Sequence, residues 1–287
     1  MQGSFIGFNT AGIKYEGRFM ALMLKTKLQN EICHTYYFQV QMLADLLLVL
    51  QNRMVAVLQR LNNEGETYKT ELTAFNERLI SNTPMIDLSE IQQPNPEKRV
   101  MSITLKPGES WSTLILVLQN EQIVSLRIDD MQVEALLVGI QQTLKNCDDS
   151  DVTHYLSSTM DFLMLCAVDL TKAHGVDYQY YSPDEWKLNL FTHSLAILFC
   201  CDTDEGKKII SGALIKTSAP HPSEHENSVI MRMAERNPKL IEVHTQCQPS
   251  QIFSKYFPSE PGKMMTLEEC MQYLKSFYSE INAQISA

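Results

Sequence analysis

The stretch that decides the fold reads "CHTYYFQVQMLADLLLVLQNRM" and covers residues 33–54. Its first eight residues continue a series of alternating segments that begins near the N-terminus, and such alternation predicts β-strands. From Leu43 onward the apolar residues recur every three or four positions, which places them on one face of an α-helix. A strand that leads directly into an apolar helix predicts small sheets followed by packed helices.

The apolar residues of this predicted helix form a continuous seam. In steps of four and three they are Leu43, Leu47, Leu50, Met54, Val57 and Leu61. The same steps continue to Leu79, although Gly65 lowers the helix propensity between them. The region 41–81 is therefore predicted to be either one interrupted helix or a helical hairpin. A continuous helix of about 40 residues would be about 60 Å long and would need a partner for its far end, so we expect a homo-oligomer assembled through the seam.

A second stretch, "DDMQVEALLVGIQQTL" at 129–144, repeats the arrangement because it also follows predicted strands and carries a Leu-rich face. Placing Asp45 over Glu134 aligns Leu47 with Leu136, with a register that is loose by one residue. The similarity indicates repeated units of a strand meander plus a helix. The alternative is an ordinary protein with strands before capped helices.

The predicted fold class is α+β, with antiparallel strand meanders each followed by a helix. Strands and helices are grouped instead of alternating strictly, which disfavours a doubly wound α/β fold. The short acidic stretch "CDDSD" at 147–151 is the best boundary, so we expect a domain of residues 1–148 and a C-terminal α+β half of residues 149–287.

Local signals also predict elements in the C-terminal half. Ser182 with Glu185 forms the pattern of a capping box, which predicts a helix that continues to residue 199. Thr266 with Glu269 predicts the start of a last helix in the same way. Between them, "LIEVHTQ" at 240–246 is interpreted as a strand.

Composition limits the possible partners. The 287 residues carry a formal net charge of −10, which opposes binding to nucleic acid or to anionic membranes. The N-terminus lacks the charged and apolar regions of a secretory signal, and no uninterrupted apolar run of about 18 residues occurs. The protein is therefore expected to be cytoplasmic, without a membrane segment. Its seven cysteines are scattered without a C-x-x-C pair, which predicts neither a disulfide framework nor a zinc knuckle.

One motif suggests an enzyme. His221, Glu224 and His225 stand in the order H-x-x-E-H, the ligand pattern of one class of zinc protease. Pro222 forces the residue before it out of helical conformation, and Ser223 is suited to cap a helix that begins after it. The motif is therefore interpreted as a loop entering a helix, and no metal, cofactor or catalytic residue is predicted.

Aromatic residues cluster in "DYQYYSPDEW" at 177–186. Beside several acids, the cluster contains Tyr178, Tyr180, Tyr181 and Trp186. Such a group can stack on a ring or bind a cation, which makes it the preferred surface for a ligand or a protein partner. Packing of a strand against a helix entry explains the same residues.

The N-terminal stretch "GFNTAGIKYEGRFMALML" at 7–24 resembles enterobacterial proteins of the YjeJ-like family. The resemblance implies no activity and no site. The sequence predicts a cytoplasmic, non-catalytic interaction or regulatory protein that self-associates through the region 41–81. The alternative is a hydrolase, possibly metal-dependent, whose site is assembled from residues distant in the sequence.

Overall fold

The computed structural model describes residues 4–171, 177–180, 184–204, 206–260, 262–263 and 265–285. The chain divides into two compact units, Met1–Met160 and Asp161–Ala287. All strand pairs in the three described sheets are antiparallel, so the predicted α+β class is confirmed.

Unit 1 begins with a three-stranded meander in the order β1-β2-β3. The strands and the two helices that follow are β1 (Gly7–Tyr15), β2 (Arg18–Lys27), β3 (Cys33–Gln39), α1 (Val40–Glu64) and α2 (Glu66–Ser81). The first helix follows the last strand without a loop, as the opening stretch of sequence predicts.

A break at Gly65 separates α1 from α2. Gly65 has φ 60° and ψ −133°, a conformation that glycine adopts without a Cβ clash. The Arg60 guanidinium lies 4.5 Å from the centre of the Tyr68 ring, whereas eight residues of one straight helix rise about 12 Å. Beyond α2, Asn9 Nδ2 on the first strand donates to the Pro84 carbonyl at 2.9 Å. The chain therefore returns to the sheet from which α1 started, and the helical hairpin is the alternative that forms.

A short helix α3 (Leu88–Gln92) and a single 3₁₀ turn lead into a second meander, β4-β5-β6. Its elements are β4 (Val100–Pro107), β5 (Trp111–Leu118), β6 (Ile123–Asp129), α4 (Asp130–Cys147) and α5 (Ser150–Thr159). The boundary predicted after residue 148 falls between α4 and α5, inside unit 1, whereas the two compact units divide after Met160.

The two meanders of unit 1 share the same turn sequence, "LQNE", at 28–31 and 118–121. In both turns the Glu amide donates to the Leu carbonyl, at 3.0 and 2.9 Å, and the Glu has a φ of 65° or 66°. The Asn side chain accepts from the amide two residues later in both, at 3.3 and 3.2 Å. The offset of 90 residues continues into the helices, since α1 begins at Val40 and α4 at Asp130. The alignment of Leu47 with Leu136 is therefore shifted by one position, and Leu47 corresponds to Leu137.

Helix α4 packs on the first strand of the other repeat. Thr10 Oγ1 lies 2.8 Å from Thr143 Oγ1 and donates to the Gly139 carbonyl at 3.1 Å. A Cβ on Gly12 would lie 2.1 Å from Cys147 Sγ, so a larger residue at this position would require the Cys147 side chain to shift. The core of unit 1 thus joins elements from both repeats.

Of the described helices, α1 is long and apolar enough to cross a membrane, with a mean hydropathy of 1.4 over an 18-residue window. Leu43, Leu46 and Leu50 of this helix are buried inside unit 1. A core helix has the same composition, and the packing of these leucines accounts for it.

Unit 2 contains a five-stranded sheet in the order β11-β9-β10-β7-β8. Its elements are β7 (Phe162–Asp169), β8 (Asp177–Tyr180), α6 (Glu185–Leu188), β9 (His193–Thr203), β10 (Gly206–Thr217), α7 (Glu224–Arg236), α8 (Pro238–Gln246), β11 (Gln251–Pro258) and α9 (Leu267–Ile285). Helices α7 and α8 cover one face of the sheet and α9 covers the other. Successive residues of β9 alternate between these two apolar layers.

Two interpretations of the C-terminal half are wrong. The helix predicted to reach residue 199 is only the four-residue α6, because β9 begins at His193 and its first nine residues are buried. A strand covered on both faces is a continuous apolar run, which periodicity alone does not separate from a helix.

The strand predicted at 240–246 is part of α8, since the Asn237 side chain accepts from Lys239 N at 3.0 Å and Pro238 opens the helix. Ser182, the predicted cap, lies outside the described residues.

The cysteines depart from the sequence expectation at one pair. Cys147, Cys166, Cys200 and Cys270 are buried free thiols. Cys201 and Cys247 form a disulfide that joins β9 to the residue after α8, with a Cα–Cα distance of 6.4 Å. Spacing did not predict this pair because only the fold brings its two cysteines together.

Candidate functional site

Three helices of unit 1 enclose an apolar groove of about 500 Å³. Leu156 of α5 and Met160, the residue after α5, close one side, while α1 and α4 form the rest. The residues that α1 and α4 contribute in equivalent positions of the two repeats are Leu47 and Leu137, Gln51 and Gln141, and Met54 and Leu144. The repeat therefore builds the groove from two matching helix faces.

Two exposed apolar residues stand at the lip of this groove. Val55 and Leu58 are 54% and 50% exposed, and both project from α1. Among the described residues that line it, none is charged, and the polar ones are Gln51, Gln141, Thr153 and Ser157. In a chain with a net charge of −10, an uncharged apolar patch is a candidate for contact with another molecule.

The predicted self-association seam lies mostly inside unit 1. Leu43, Leu47, Leu50 and Val57 are buried, whereas Met54 and Leu61 are half-buried. Packing within one chain accounts for the spacing of the four buried residues. Met54 and Leu47 also reach the groove.

Sequence reasoning missed the exposed residues of the lip because Val55 and Leu58 fall outside the four-and-three spacing. The repeated "LQNE" turn is the sequence signal that could have located the groove. It sets an offset of 90 residues between the two repeats, which superimposes Gln51 on Gln141.

The H-x-x-E-H motif of unit 2 is a loop entering a helix, as predicted. Helix α7 begins at Glu224, and the Ser223 hydroxyl accepts from Glu226 N at 3.1 Å. His221 stays in the preceding loop, where its Nδ1 lies 2.6 Å from Glu226 Oε2. His225 Nε2 is directed elsewhere, 4.0 Å from Asp161 Oδ1. Within the part of the chain that the structure describes, no group of three or more His, Cys, Asp or Glu side chains is placed to hold a metal ion.

His193 lies near the same loop. Its Nδ1 is 3.0 Å from Thr192 Oγ1, and its ring centre is 4.8 Å from that of Tyr256. Its buried Nε2 has no hydrogen-bond partner in the part of the chain that the structure describes. Burial lowers the pKa of His193 below its usual value, and the nearby His221 lowers it further. The arrangement favours a neutral imidazole.

Lys216 is fully buried in β10. Its Nζ donates to the carbonyls of Leu188 at 3.4 Å and Glu260 at 3.3 Å, and burial lowers its pKa. Ser194 is its direct partner across β9 and β10 and lines a small cavity of about 120 Å³. A hydroxyl beside a neutral lysine is one form of activated nucleophile. The Ser194 hydroxyl instead donates to Met265 Sδ at 3.9 Å, so the hydrogen bond that this mechanism requires is not formed.

The predicted aromatic surface is described only in part. Tyr181 lies outside the described residues, and the backbone of β8 places Tyr178 opposite Val168 and Tyr180 opposite Cys166. Trp186 lies in α6, where its ring centre is 5.3 Å from Lys187 Nζ, and its buried Nε1 has no hydrogen-bond partner among the described residues. The ligand or partner role of this cluster stays a prediction.

The fold and the groove define an α+β protein of two units, the first an internal repeat with an apolar surface groove. The chain belongs to the YjeJ-like family, whose model matches residues 1–284. It is 26% identical over 272 residues to "Uncharacterized protein YjeJ" of Escherichia coli (strain K12), which covers 94% of this chain and 93% of that protein. No solved structure matches the chain.

Proposed function

We propose that this chain is a cytoplasmic, non-catalytic interaction protein that pairs with a second copy of itself through the groove between α1, α4 and α5. The observation that carries the proposal is the exposed pair Val55 and Leu58 at the lip of an uncharged apolar groove. Each Å² of apolar surface that these side chains expose to water is unfavourable by about 25 cal/mol, and a partner that covers the surface would remove this cost.

A symmetric pair of copies suits this surface for two reasons. A two-fold interface requires one patch to be complementary to itself, and here an apolar ridge stands beside an apolar groove. Two copies also present the same charge to each other, so a lining without charged residues avoids repulsion. The region 41–81 thus supplies the contact through its exposed side, and the buried seam holds unit 1 together.

The test is sedimentation of the full-length chain over a wide range of concentrations. We expect a dimer for the unaltered protein and a monomer for Val55→Glu and Leu58→Glu, because each places a charge in the centre of the apolar contact. Val138→Glu is the matched control, since Val138 is 59% exposed on α4 and does not line the groove. It should remain dimeric.

Circular dichroism and thermal unfolding of each variant show whether it folds. A monomer for the unaltered protein at every concentration, or a dimer for folded Val55→Glu and Leu58→Glu, would contradict the proposal.

A further inference from the structure

Strand β11 forms one edge of the sheet in unit 2. It runs for eight residues, Gln251–Pro258, and β9 is the only strand beside it among those described. The outer side of an edge strand carries backbone N–H and C=O groups that can pair with another chain. Ile252 and Tyr256 of this strand expose apolar surface on the face that α7 and α8 cover.

A second groove lies between this edge and the two helices, with a volume of about 470 Å³. Met231 of α7, Ile241 of α8 and Ile252 of β11 line it and are exposed. The rings of Phe199 and His244 have centres 4.6 Å apart and also line the groove. Side-chain space beside an open edge strand is the arrangement by which many domains bind an extended peptide.

The charge of this groove indicates which peptide fits. Glu235 lines the groove, is exposed, and has no ion pair or hydrogen bond among the described residues. In contrast, Asp161 near α7 is bound by Arg232, and Lys255 of β11 is bound by Glu280. Among its described lining residues, the groove therefore presents the unpaired negative charge of Glu235 beside apolar side chains.

We propose that β11 binds an extended segment of a partner protein, which adds a strand to the sheet. An apolar side chain of the segment enters the groove, and a neighbouring Lys or Arg pairs with Glu235. Main-chain hydrogen bonds supply affinity, while the groove and the carboxylate supply specificity. A second copy of this chain pairing through its own β11 is disfavoured as the occupant, because Lys255, the basic residue of that strand, is already bound by Glu280.

The experiment is selection from a phage-displayed library of random peptides on the full-length protein, followed by measurement of peptide affinity by fluorescence polarisation. We expect the selected peptides to alternate apolar residues and to share a Lys or Arg. Ile252→Glu should weaken their binding by at least about tenfold. Ile123→Glu is the matched control, since Ile123 is an exposed isoleucine on a strand of unit 1, and should change nothing.

Two further measurements separate strand addition from simple apolar contact. Methylation of alternate backbone nitrogens in a selected peptide should abolish binding, because it removes the main-chain donors. Glu235→Lys should reverse the preference, so that a peptide with Glu in place of its basic residue binds more tightly than the original.

Failure to enrich a shared pattern would overturn the proposal, as would equal binding to folded Ile252→Glu or equal binding of the methylated peptide. Val55→Glu in unit 1 should leave peptide binding unchanged. The outcome is therefore independent of whether the chain pairs with itself.

Discussion

Lys216 is the residue whose chemistry is most at odds with its surroundings. Its ammonium form has lost water and gains only two carbonyl contacts, at 3.4 and 3.3 Å, without an ion pair among the described residues. A buried charge without a partner is costly, and an apolar residue of similar length often serves better at such a site. The position thus costs stability as long as the side chain carries its charge.

We predict that Lys216→Met stabilises unit 2 at neutral pH by about 1–3 kcal/mol. Burial lowers the pKa of Lys216 from 10.5, so the unfolded chain holds more protons between the lowered pKa and 10.5. The stability of the unaltered protein should therefore rise with pH through that window, and the variant should lose this rise. Urea unfolding followed by Trp186 fluorescence in a Trp111→Phe background measures unit 2 alone.

Lys208→Met is the control for this substitution, because Lys208 is exposed on the same strand. It should leave stability nearly unchanged. A loss of stability in Lys216→Met would show that the amine contributes more through its two hydrogen bonds than it costs by burial.

Residue positions were predictable where the signal was local. Ser223 and Thr266 were identified as caps because capping depends on residues three positions apart. The spacing of Leu43 and Leu50 predicted an apolar helix face. Spacing does not show whether such a face packs against the same chain or against a second one. Val55 of the groove lip could not be predicted, since its exposure depends on where α4 and α5 lie.

At the level of elements, the turn between α1 and α2 determines the shape of unit 1. The seam keeps its spacing across Gly65, so the apolar pattern alone permits one straight helix. The Gly65 amide donates the last helical hydrogen bond, to the Leu61 carbonyl at 2.9 Å. The positive φ of Gly65 then ends α1. The chain can then reverse and cover its own sheet.

We predict that Gly65→Ala destabilises unit 1 by about 1 kcal/mol or more, because a Cβ is strained at positive φ. Unfolding followed by Trp111 fluorescence in a Trp186→Phe background measures this unit. No atom of the described residues lies within 4 Å of a Cβ added at Gly65, so the effect would report backbone strain without a steric clash. Unchanged stability would mean that the turn tolerates a side chain.

Elements were harder to predict in the C-terminal half than in the N-terminal half. In unit 1 the burial of β5 alternates along its whole length, whereas β2 and β3 each contain a run of four buried residues. Strand β9 is covered by α7 and α8 on one face and by α9 on the other, which removes the alternation. The fold class could be predicted from the alternating strands. Strand β9 could not be distinguished from a helix without knowing that helices cover both faces of its sheet.

On the scale of the whole molecule, the two units should respond differently to mild acid. Burial lowers the pKa of His193 and of His244 from 6.5, and both lie in unit 2. Because the unfolded chain takes up protons first, unit 2 should lose stability as the pH falls from 6.5 towards the lowered pKa values. In unit 1 the pKa values of Glu90 and Asp149 are lowered from 4.5 and 3.8, so their contribution is lost only at lower pH.

We therefore predict that a change from pH 7 to pH 5 lowers the melting temperature reported by Trp186 more than that reported by Trp111. The measurement uses the two single-tryptophan backgrounds described for urea unfolding. His193→Gln and His244→Gln together should reduce the difference. A larger shift for Trp111 would contradict the assignment of the sensitive groups to unit 2.

The repeat in unit 1 also has a consequence for the history of the chain. Two copies of a meander-plus-helix segment, each too small to bury its own apolar face, share one core in which α4 lies on β1 of the other copy. Such an arrangement is the one expected from duplication and fusion of a segment half the length of unit 1, and the ancestor would then have been a symmetric pair of separate chains. After fusion each half could change without its twin, and α2 and α5 now differ in length, with 16 and 10 residues. Separately expressed halves that reassemble when mixed would be a present-day trace of that ancestor.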